Sequence, residues 1–201
     1  MTDPQDTERR YRTIVADPPW PYRSDTTGAF VIPKPAEEVA LGHRGVETMG
    51  YRSMSMSDLL ALRLEAADNA HLYLWTTNAF MVEGHEIAKA WGFTVKTICT
   101  WVKTHQGDPG RVSMKTGYYF RGATEHFLFA VRGSLALQTA EGLPTAYLWP
   151  RIGAHSVKPE AFYDLVESAS PGPYLEMFAR RQRLGWDTWG NEALNHVEIA
   201  S

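Results

Sequence analysis

Segments with strand character alternate with segments of helical character along most of this chain, and that order constrains its fold more than any other feature. Apolar or β-branched runs predict strands over residues 13–16, 71–76, 93–101, 125–131 and 174–179. Capping residues followed by apolar residues at helical spacing predict helices over 57–67, 78–91 and 158–169. Such alternation is typical of a mainly parallel sheet covered on both faces, with ligands at the carboxyl ends of the strands. The sequence therefore predicts an α/β domain.

Composition and charge limit the classes of protein. The chain has 201 residues, of which 44% are hydrophobic and 12% aromatic, enough for one domain with its own core. Its formal net charge of −3 means that nucleic-acid binding would need a local basic patch. Cys99 is the single cysteine and the seven histidines are scattered, so neither a disulfide nor a metal site is predicted. The polar N-terminus and the lack of a long apolar run lead us to expect a cytoplasmic protein with no membrane partner.

A short polar motif, Asp17-Pro18-Pro19-Trp20, directly follows the first predicted strand. The prolines make the segment rigid, the aspartate supplies acceptor oxygens, and the tryptophan supplies a flat apolar surface. This combination suits the binding of a planar amine, such as the exocyclic amino group of adenine. A simple turn is the alternative interpretation, because aspartate and proline are both turn formers.

A second unusual feature lies in the last predicted strand and in the residues that follow it. Glu176 and Arg180 flank apolar residues in Leu175-Glu176-Met177-Phe178-Ala179-Arg180, and residues 185–192 add tryptophans, glycines and an amide. A carboxylate within an apolar strand could discourage edge pairing or bind a ligand hydroxyl. The following residues could form a cofactor loop or an aromatic plug. No glycine-rich G-x-G-x-x-G loop follows a strand, which argues against an ordinary dinucleotide dehydrogenase.

Two long segments without clear periodicity, 23–56 and 103–122, are predicted to be loops beside the Asp17 motif. The second loop contains one acid, Asp108, and four basic residues, which are Lys103, Arg111, Lys115 and Arg121. We expect these four to form a positive strip that binds phosphate groups. The alternative is an ordinary solvated loop.

Six ordered blocks together resemble the MT-A70 family of S-adenosylmethionine-dependent adenine N6-methyltransferases, over about residues 11–192. The blocks are Asp17–Trp20, Trp101–Thr104, Arg121–His126, His155–Pro159, Leu175–Arg180 and Gly185–Glu192. The compact chain looks most like the bacterial and phage members of that family. It has no zinc-finger cysteines and no obvious target-recognition domain, which leaves sequence selectivity and partner dependence open.

The resemblance implies a Rossmann-like class I methyltransferase fold with permuted motif order, in which the catalytic strand precedes the cofactor strand. Residues 1–10 would form a flexible N-terminus, 11–192 the methyltransferase domain with its two flanking loops, and 193–201 a C-terminal tail. The implied reaction is methyl transfer from S-adenosyl-L-methionine to the N6 amino group of adenine in DNA.

The resemblance also implies roles for individual residues on the acceptor side. Asp17 and the Pro18 carbonyl would accept hydrogen bonds from the adenine amino group, and Pro19 removes a competing backbone donor. Trp20 or Tyr22 would stack on the base.

On the cofactor side, Lys158 would lie near the methionine carboxylate, with Asp17 as a second neighbour of the methionine. Glu176 and Arg180 would hold the ribose region, and Phe178 would pack on the adenine. Asn191 would contact the ribose or the adenine.

Three other functions remain open at this point. They are the same chemistry on RNA, a catalytically silent nucleic-acid-binding partner subunit, and methylation of a small planar amine. DNA is favoured because the chain is compact, and the intact Asp17 and Trp20 argue against a silent subunit. Assembly as a homodimer or with a partner subunit is also left open, in the cytoplasm of a bacterial or phage-infected cell.

Overall fold

The computed structural model of the chain describes residues 10–24, 30–31, 53–114, 119–152 and 157–190, together with Asn195, Val197 and Ile199. The predicted flexible N-terminus, most of loop 23–56 and most of the C-terminal tail lie outside these residues.

Ten strands and three helices are described. The strands are β1 Tyr11–Ala16, β2 Arg23–Ser24, β3 Phe30–Val31, β4 Ala66–Thr76, β5 Thr94–His105, β6 Asp108–Val112, β7 Thr124–Arg132, β8 Ala146–Pro150, β9 Tyr174–Met177 and β10 Trp186–Trp189. The helices are α1 Met56–Ala61, α2 Met81–Ala90, which follows a 3-10 turn over Asn78–Phe80, and α3 Glu160–Ala169.

Eight of the strands form one mixed sheet in the order β10-β9-β1-β4-β7-β5-β6, with β8 paired to β5. Strands β10, β9, β1 and β4 run parallel, whereas β7 is antiparallel to both β4 and β5. The predicted parallel arrangement therefore holds for the half of the sheet that contains β1. β1 lies between β4 and the late strand β9, so the predicted Rossmann-like fold with permuted order is confirmed.

Both faces of the sheet are buried at β1 and β4, whose neighbouring residues point to opposite sides of the sheet. Ile14 belongs to a core cluster with α1 and α2, and Val15 belongs to a second cluster with α3. Phe162 and Val166 of α3 are fully buried in that second cluster. The result is a three-layer arrangement with the sheet in the middle, as the sequence predicts.

The helix predicted over 57–67 is wrong at both ends. Helix α1 begins at Met56, and its N-cap is Ser55, whose hydroxyl accepts a hydrogen bond from the Asp58 backbone N–H at 3.1 Å. Ala66 already pairs with Tyr11 as the first residue of β4. Pairing with β1 therefore overrides the helical spacing of the leucines in this segment.

The loop predicted over 103–122 is wrong for residues 103–112. Strand β5 continues to His105, and β6 returns alongside it after a two-residue turn. Gly107 has a φ of 85° in that turn, a conformation that favours glycine. A β-hairpin therefore replaces the first half of the expected loop.

Strand β10 is absent from the sequence prediction. It has four residues and pairs in parallel with β9, with Trp186 in the second core cluster and Trp189 packed against the first. Part of the aromatic segment predicted as a cofactor loop is thus an edge strand, and its two tryptophans contribute to the core.

Candidate active site

The parallel strands bring two of the candidate segments together at the carboxyl ends of β1 and β9. Ala16 at the end of β1 pairs with Leu74 of β4 on one side and with Met177 of β9 on the other. The residues that follow, including Asp17 and Phe178, therefore lie side by side. A cavity of about 320 Å³ lies at these strand ends. Five of the predicted site residues line it, namely Asp17, Lys158, Glu176, Phe178 and Arg180.

The Asp17 motif is held by backbone hydrogen bonds within and beyond itself. The Trp20 N–H donates to the Pro18 carbonyl at 2.8 Å, and the Tyr22 N–H donates to the Trp20 carbonyl at 2.8 Å. The Pro19 carbonyl accepts from the Met54 N–H at 3.0 Å. Two consecutive tight turns and this anchor to the segment before α1 give a rigid backbone after Asp17.

Trp20 lies in the core and does not line the cavity. Its side chain is 4% exposed, and its ring stacks on Phe80 with centroids 5.0 Å apart. Tyr22 is only partly buried; its ring meets Phe80 edge-on, and its hydroxyl is hydrogen-bonded to Thr77. Of the two aromatic residues predicted to stack on a base, Tyr22 is therefore the more accessible.

Asp17 is part of a chain of alternating charges that we call the lysine–carboxylate cluster, formed by Asp17, Lys158, Glu125 and Lys103. The Lys158 Nζ lies 2.9 Å from Asp17 Oδ2 and 3.2 Å from Glu125 Oε2. Lys103 forms an ion pair with the other oxygen of Glu125. Both lysines are nearly buried, and each also lies over a tryptophan ring, that of Trp75 for Lys158.

Electrostatics keep the middle of this cluster ionised. Burial alone would lower the pKa of Lys158, but the negative charges of Asp17 and Glu125 outweigh it and raise that pKa above its ordinary value. Burial alone would raise the pKa of Glu125, but Lys158 and Lys103 lower it to about 2. A charged Lys158 beside Asp17 follows at neutral pH.

Glu125 is the functional candidate that sequence reasoning did not select. It lies near the start of β7 and touches both lysines of the cluster. The available signal was an acid at the beginning of an apolar strand, directly after the basic loop. Nothing in the local pattern indicates that its partner Lys158 lies 33 residues further along the chain.

Glu176 of β9 has a different environment. Its Oε1 accepts a hydrogen bond from the Tyr163 hydroxyl at 2.6 Å, whereas its buried Oε2 has no hydrogen-bond partner among the described residues. Burial raises the pKa of Glu176, although the hydrogen bond from Tyr163 acts in the opposite direction. A buried acceptor without a donor in a cavity wall is the arrangement expected where a ligand supplies a hydroxyl group.

Phe178 follows β9 with a φ of 61°, which is uncommon for a residue with a side chain. Its ring lines the cavity and meets Trp189 edge-on at 5.3 Å. The end of β10 passes close behind this turn, where a Cβ on Gly190 would lie 2.4 Å from the Ala179 carbonyl oxygen. The turn therefore needs glycine at position 190 and places an aromatic face beside Glu176.

The four basic residues predicted as one strip are not equivalent in the structure. Lys103 is buried in the lysine–carboxylate cluster, so its inclusion in an exposed strip is wrong. Arg111 on β6 and Arg121 before β7 are exposed. Lys115 lies outside the described residues, and so does Asn191, the remaining cofactor candidate.

Comparison with known proteins identifies the family. A family model described as MT-A70 matches residues 11–192. The chain belongs to the MT-A70 family. This membership confirms the family and the methyltransferase activity that the sequence predicts.

Three relatives of the chain differ in how much of their own length the alignment covers. The Type II methyltransferase M.MunI from a Mycoplasma species is 29% identical, and the alignment covers 98% of this chain and 84% of that protein. The N(6)-adenosine-methyltransferase MT-A70-like protein of Drosophila melanogaster is 26% identical, over 91% of this chain and 27% of that protein. The human catalytic subunit METTL3 is 25% identical, over 91% of this chain and 28% of that protein. The chain thus spans most of the Mycoplasma relative and about a quarter of the two animal relatives.

Two searches of the described residues gave negative findings. Within these ranges, no helix is long and apolar enough to cross a bilayer. Nor do the described His, Cys, Asp and Glu side chains gather in groups of three or more that could hold a metal ion.

Proposed function

We propose that this MT-A70 protein transfers a methyl group from S-adenosyl-L-methionine to the N6 amino group of adenine in DNA. The observation that carries the proposal is the position of Asp17. Its carboxylate ends the central strand β1, is held by Lys158, and shares a cavity with the unpartnered oxygen of Glu176. One cavity thus offers acceptors for an amine and an acceptor for a ribose hydroxyl.

The acceptor side is built from Asp17 and Pro18. Lys158 occupies Asp17 Oδ2, but a carboxylate has about four acceptor positions, so it can also accept a hydrogen bond from the adenine N6–H. The Pro18 carbonyl accepts one bond from Trp20 and retains a second lone pair for the other N6 hydrogen. Two such hydrogen bonds favour a pyramidal, nucleophilic nitrogen and fix its orientation.

These residues also stabilise the charge that develops during the reaction. When bound, S-adenosyl-L-methionine supplies an electrophilic methyl group on a sulfonium sulfur. The nitrogen gains positive charge as its bond to the methyl carbon forms and the carbon–sulfur bond breaks, which would release neutral S-adenosylhomocysteine, and the fixed Asp17 carboxylate stabilises that charge without reorganising. The N6 proton can leave to solvent after transfer, so no general base with a raised pKa is required.

The residues of the cofactor side fit the proposed cofactor. Glu176 Oε2 would accept a hydrogen bond from a ribose hydroxyl, and the Phe178 ring would pack on the adenine. Lys158 has three N–H donors and uses two on Asp17 and Glu125, so its third could bind the methionine carboxylate. Arg180 and Asn191 would complete the ribose and adenine contacts.

A base in a duplex cannot reach this cavity while stacked, so the target adenine would have to leave the duplex or belong to a single strand. Tyr22 would stack on it. DNA is favoured over RNA because the chain spans 84% of a Type II methyltransferase and only about a quarter of the named N(6)-adenosine methyltransferases. We place the enzyme in the cytoplasm of a bacterial or phage-infected cell, as a homodimer or with a partner subunit.

The test is methyl transfer to matched oligonucleotides. Purified protein with labelled S-adenosyl-L-methionine is incubated with DNA and RNA of the same sequence, and the nucleosides are identified by mass spectrometry. We expect N6-methyladenine in DNA, with less transfer to RNA and none to free adenosine. Transfer only to RNA would mean that the substrate is RNA and not DNA. The absence of methylated adenine from every oligonucleotide would overturn the proposed function.

A further inference from the structure

Two adjacent aromatic side chains, five and six residues before Glu125 in the chain, are almost fully exposed. Tyr119 is 87% exposed and Phe120 is 93% exposed, and we call this pair the aromatic tip. Large aromatic side chains dominate core energetics because burying them is strongly favourable, so the high exposure of two neighbouring rings needs an explanation. Stacking on a ligand with a flat face would explain the exposure of both rings.

The aromatic tip is attached directly to the active-site framework. The chain runs from Phe120 through Ala123 into β7, and the Ala123 carbonyl accepts a hydrogen bond from the Lys103 N–H at 2.9 Å. Two residues later, Glu125 binds both lysines of the lysine–carboxylate cluster. Phe120 is therefore five residues from Glu125, which is linked to Asp17 through two ion pairs that share Lys158.

This spacing limits how far the tip can lie from Glu125. Five residues span at most about 18 Å when fully extended. Successive bases along one strand of B-DNA rise by about 3.4 Å each, so this reach covers roughly five stacked bases. The target adenine would lie at Asp17, which Lys158 links to Glu125, so the bases that flank it are separated from it by distances of the same scale.

The charge around the aromatic tip fits the same ligand. Arg121 follows the tip directly and is exposed, and Arg111 on β6 is also exposed. A cation directly after two exposed rings combines a phosphate contact with base stacking, the two elements by which proteins hold unpaired strands.

We propose that Tyr119 and Phe120 form a stacking surface for unpaired nucleobases that flank the target adenine. This inference rests on the nucleic-acid substrate proposed above. The rings replace the stacking partner that a flanking base loses when the target adenine leaves the helix, and Arg121 holds the adjoining phosphate. Since every base has a flat π-face, this contact would act on any sequence and would not select one.

Binding of a fluorescein-labelled single-stranded DNA, measured by anisotropy on the full chain with S-adenosylhomocysteine, tests the surface. Phe120→Ala should weaken binding by roughly 5- to 150-fold, the range found for the loss of one stacked base. Phe120→Trp should bind like the wild type. Phe120→Leu should be weak as well, because leucine keeps apolar area but has no π-face. The matched control is Val82→Ala on α2, where a residue that is 69% exposed is truncated far from the site in the chain, and it should change nothing.

Salt dependence separates the rings from the cation. Phe120→Ala should leave the log–log slope of affinity against salt unchanged, because a phenyl ring neutralises no phosphate. Arg121→Ala should reduce that slope by about 0.7 on single-stranded DNA. Unchanged melting temperature and unchanged calorimetric affinity for S-adenosylhomocysteine establish that each variant is folded.

Three results would overturn the inference. Phe120→Ala could bind DNA like the wild type, or Phe120→Leu could retain full affinity, which would make the contact merely apolar. Light scattering could also show a wild-type dimer that Phe120→Ala converts to a monomer, which would make the tip an interface between chains. If the wild type methylates adenine and Phe120→Ala binds DNA normally, only this inference is overturned. If the wild type transfers no methyl group, the proposed function is overturned.

Discussion

The carboxylates around the cavity are held in two contrasting ways. Asp17 and Glu125 are paired with buried lysines, which keep Glu125 ionised with a pKa of about 2. Glu176 has no cation within an ion-pair contact among the described residues, and burial raises its pKa while Tyr163 binds one of its oxygens. A fixed negative charge suits the stabilisation of a developing cation, whereas a buried acceptor with a vacant oxygen suits a neutral hydroxyl. The contrast therefore assigns the acceptor amine to one region and the cofactor ribose to the other.

The largest expected effect concerns catalysis. Asp17→Ala should lower turnover by at least about tenfold, because the acceptor for the N6 hydrogen and the charge opposite the developing cation are both lost. Asp17→Asn keeps one acceptor oxygen without the charge and serves as the comparison. Initial rates of labelled methyl transfer measure both, and an Asp17→Ala enzyme with more than a tenth of wild-type turnover would remove Asp17 from the acceptor role.

The next effect concerns the stability of the lysine–carboxylate cluster. Glu125→Ala leaves two buried lysines short of a partner and should lower the free energy of unfolding by about 3–5 kcal/mol. The control is Glu160→Ala, which breaks ion pairs of an exposed carboxylate with Arg181 and Arg183 and should cost no more than about 1 kcal/mol. Denaturant unfolding measures the free energy of unfolding of both variants. Similar losses in the two would contradict a special role for the buried cluster.

The two regions should also differ in the sign of their pH dependence. Between about pH 2 and 4.5, the unfolded chain binds more protons at Glu125 than the folded chain does. Glu125 thus contributes stability that is present above its unfolded pKa and is lost as the pH falls. Glu176 has a raised folded pKa, so the folded chain binds the extra proton and stability declines as the pH rises above the unfolded value.

Glutamine substitutions make this difference measurable. Relative to the wild type, Glu125→Gln should be increasingly destabilised as the pH rises from 3 to 6, and Glu176→Gln should gain in relative stability over the same range. Melting temperatures across these pH values provide the test. Shifts of the same sign for both variants would mean that the two environments are not opposite.

The smallest effect concerns Arg111, an exposed basic residue in the segment that the sequence predicts as a loop. Arg111→Ala should leave stability and cofactor affinity unchanged and reduce the log–log salt slope of DNA binding by about 0.7 to 0.9, since phosphate contacts position a strand without reading it. Salt titrations on several DNA sequences measure this slope. An unchanged slope would mean that Arg111 is exposed to solvent but contacts no phosphate of the DNA.

Local patterns predicted the central strands, the α/β class and the placement of Asp17 at the carboxyl end of its strand. They failed where a partner lies far away in the chain. The sequence predicts Lys103 to be a basic residue of a loop. In the structure it is buried, because it pairs with Glu125, which lies 22 residues later in the chain. Strand β10 has only four residues, so its pattern is too short to show a period, and pairing with β9 creates it.

Calorimetric titration of S-adenosylhomocysteine into Asp17→Ala and Glu176→Ala, side by side, tests the division between the two regions most directly. The account predicts that Asp17→Ala binds within about threefold of the wild type, because Asp17 is at most a second neighbour of the methionine. Glu176→Ala should lose about 1–3 kcal/mol of binding free energy, since a ribose hydroxyl would be left without its acceptor. Full affinity in Glu176→Ala together with lost affinity in Asp17→Ala would contradict the assignment.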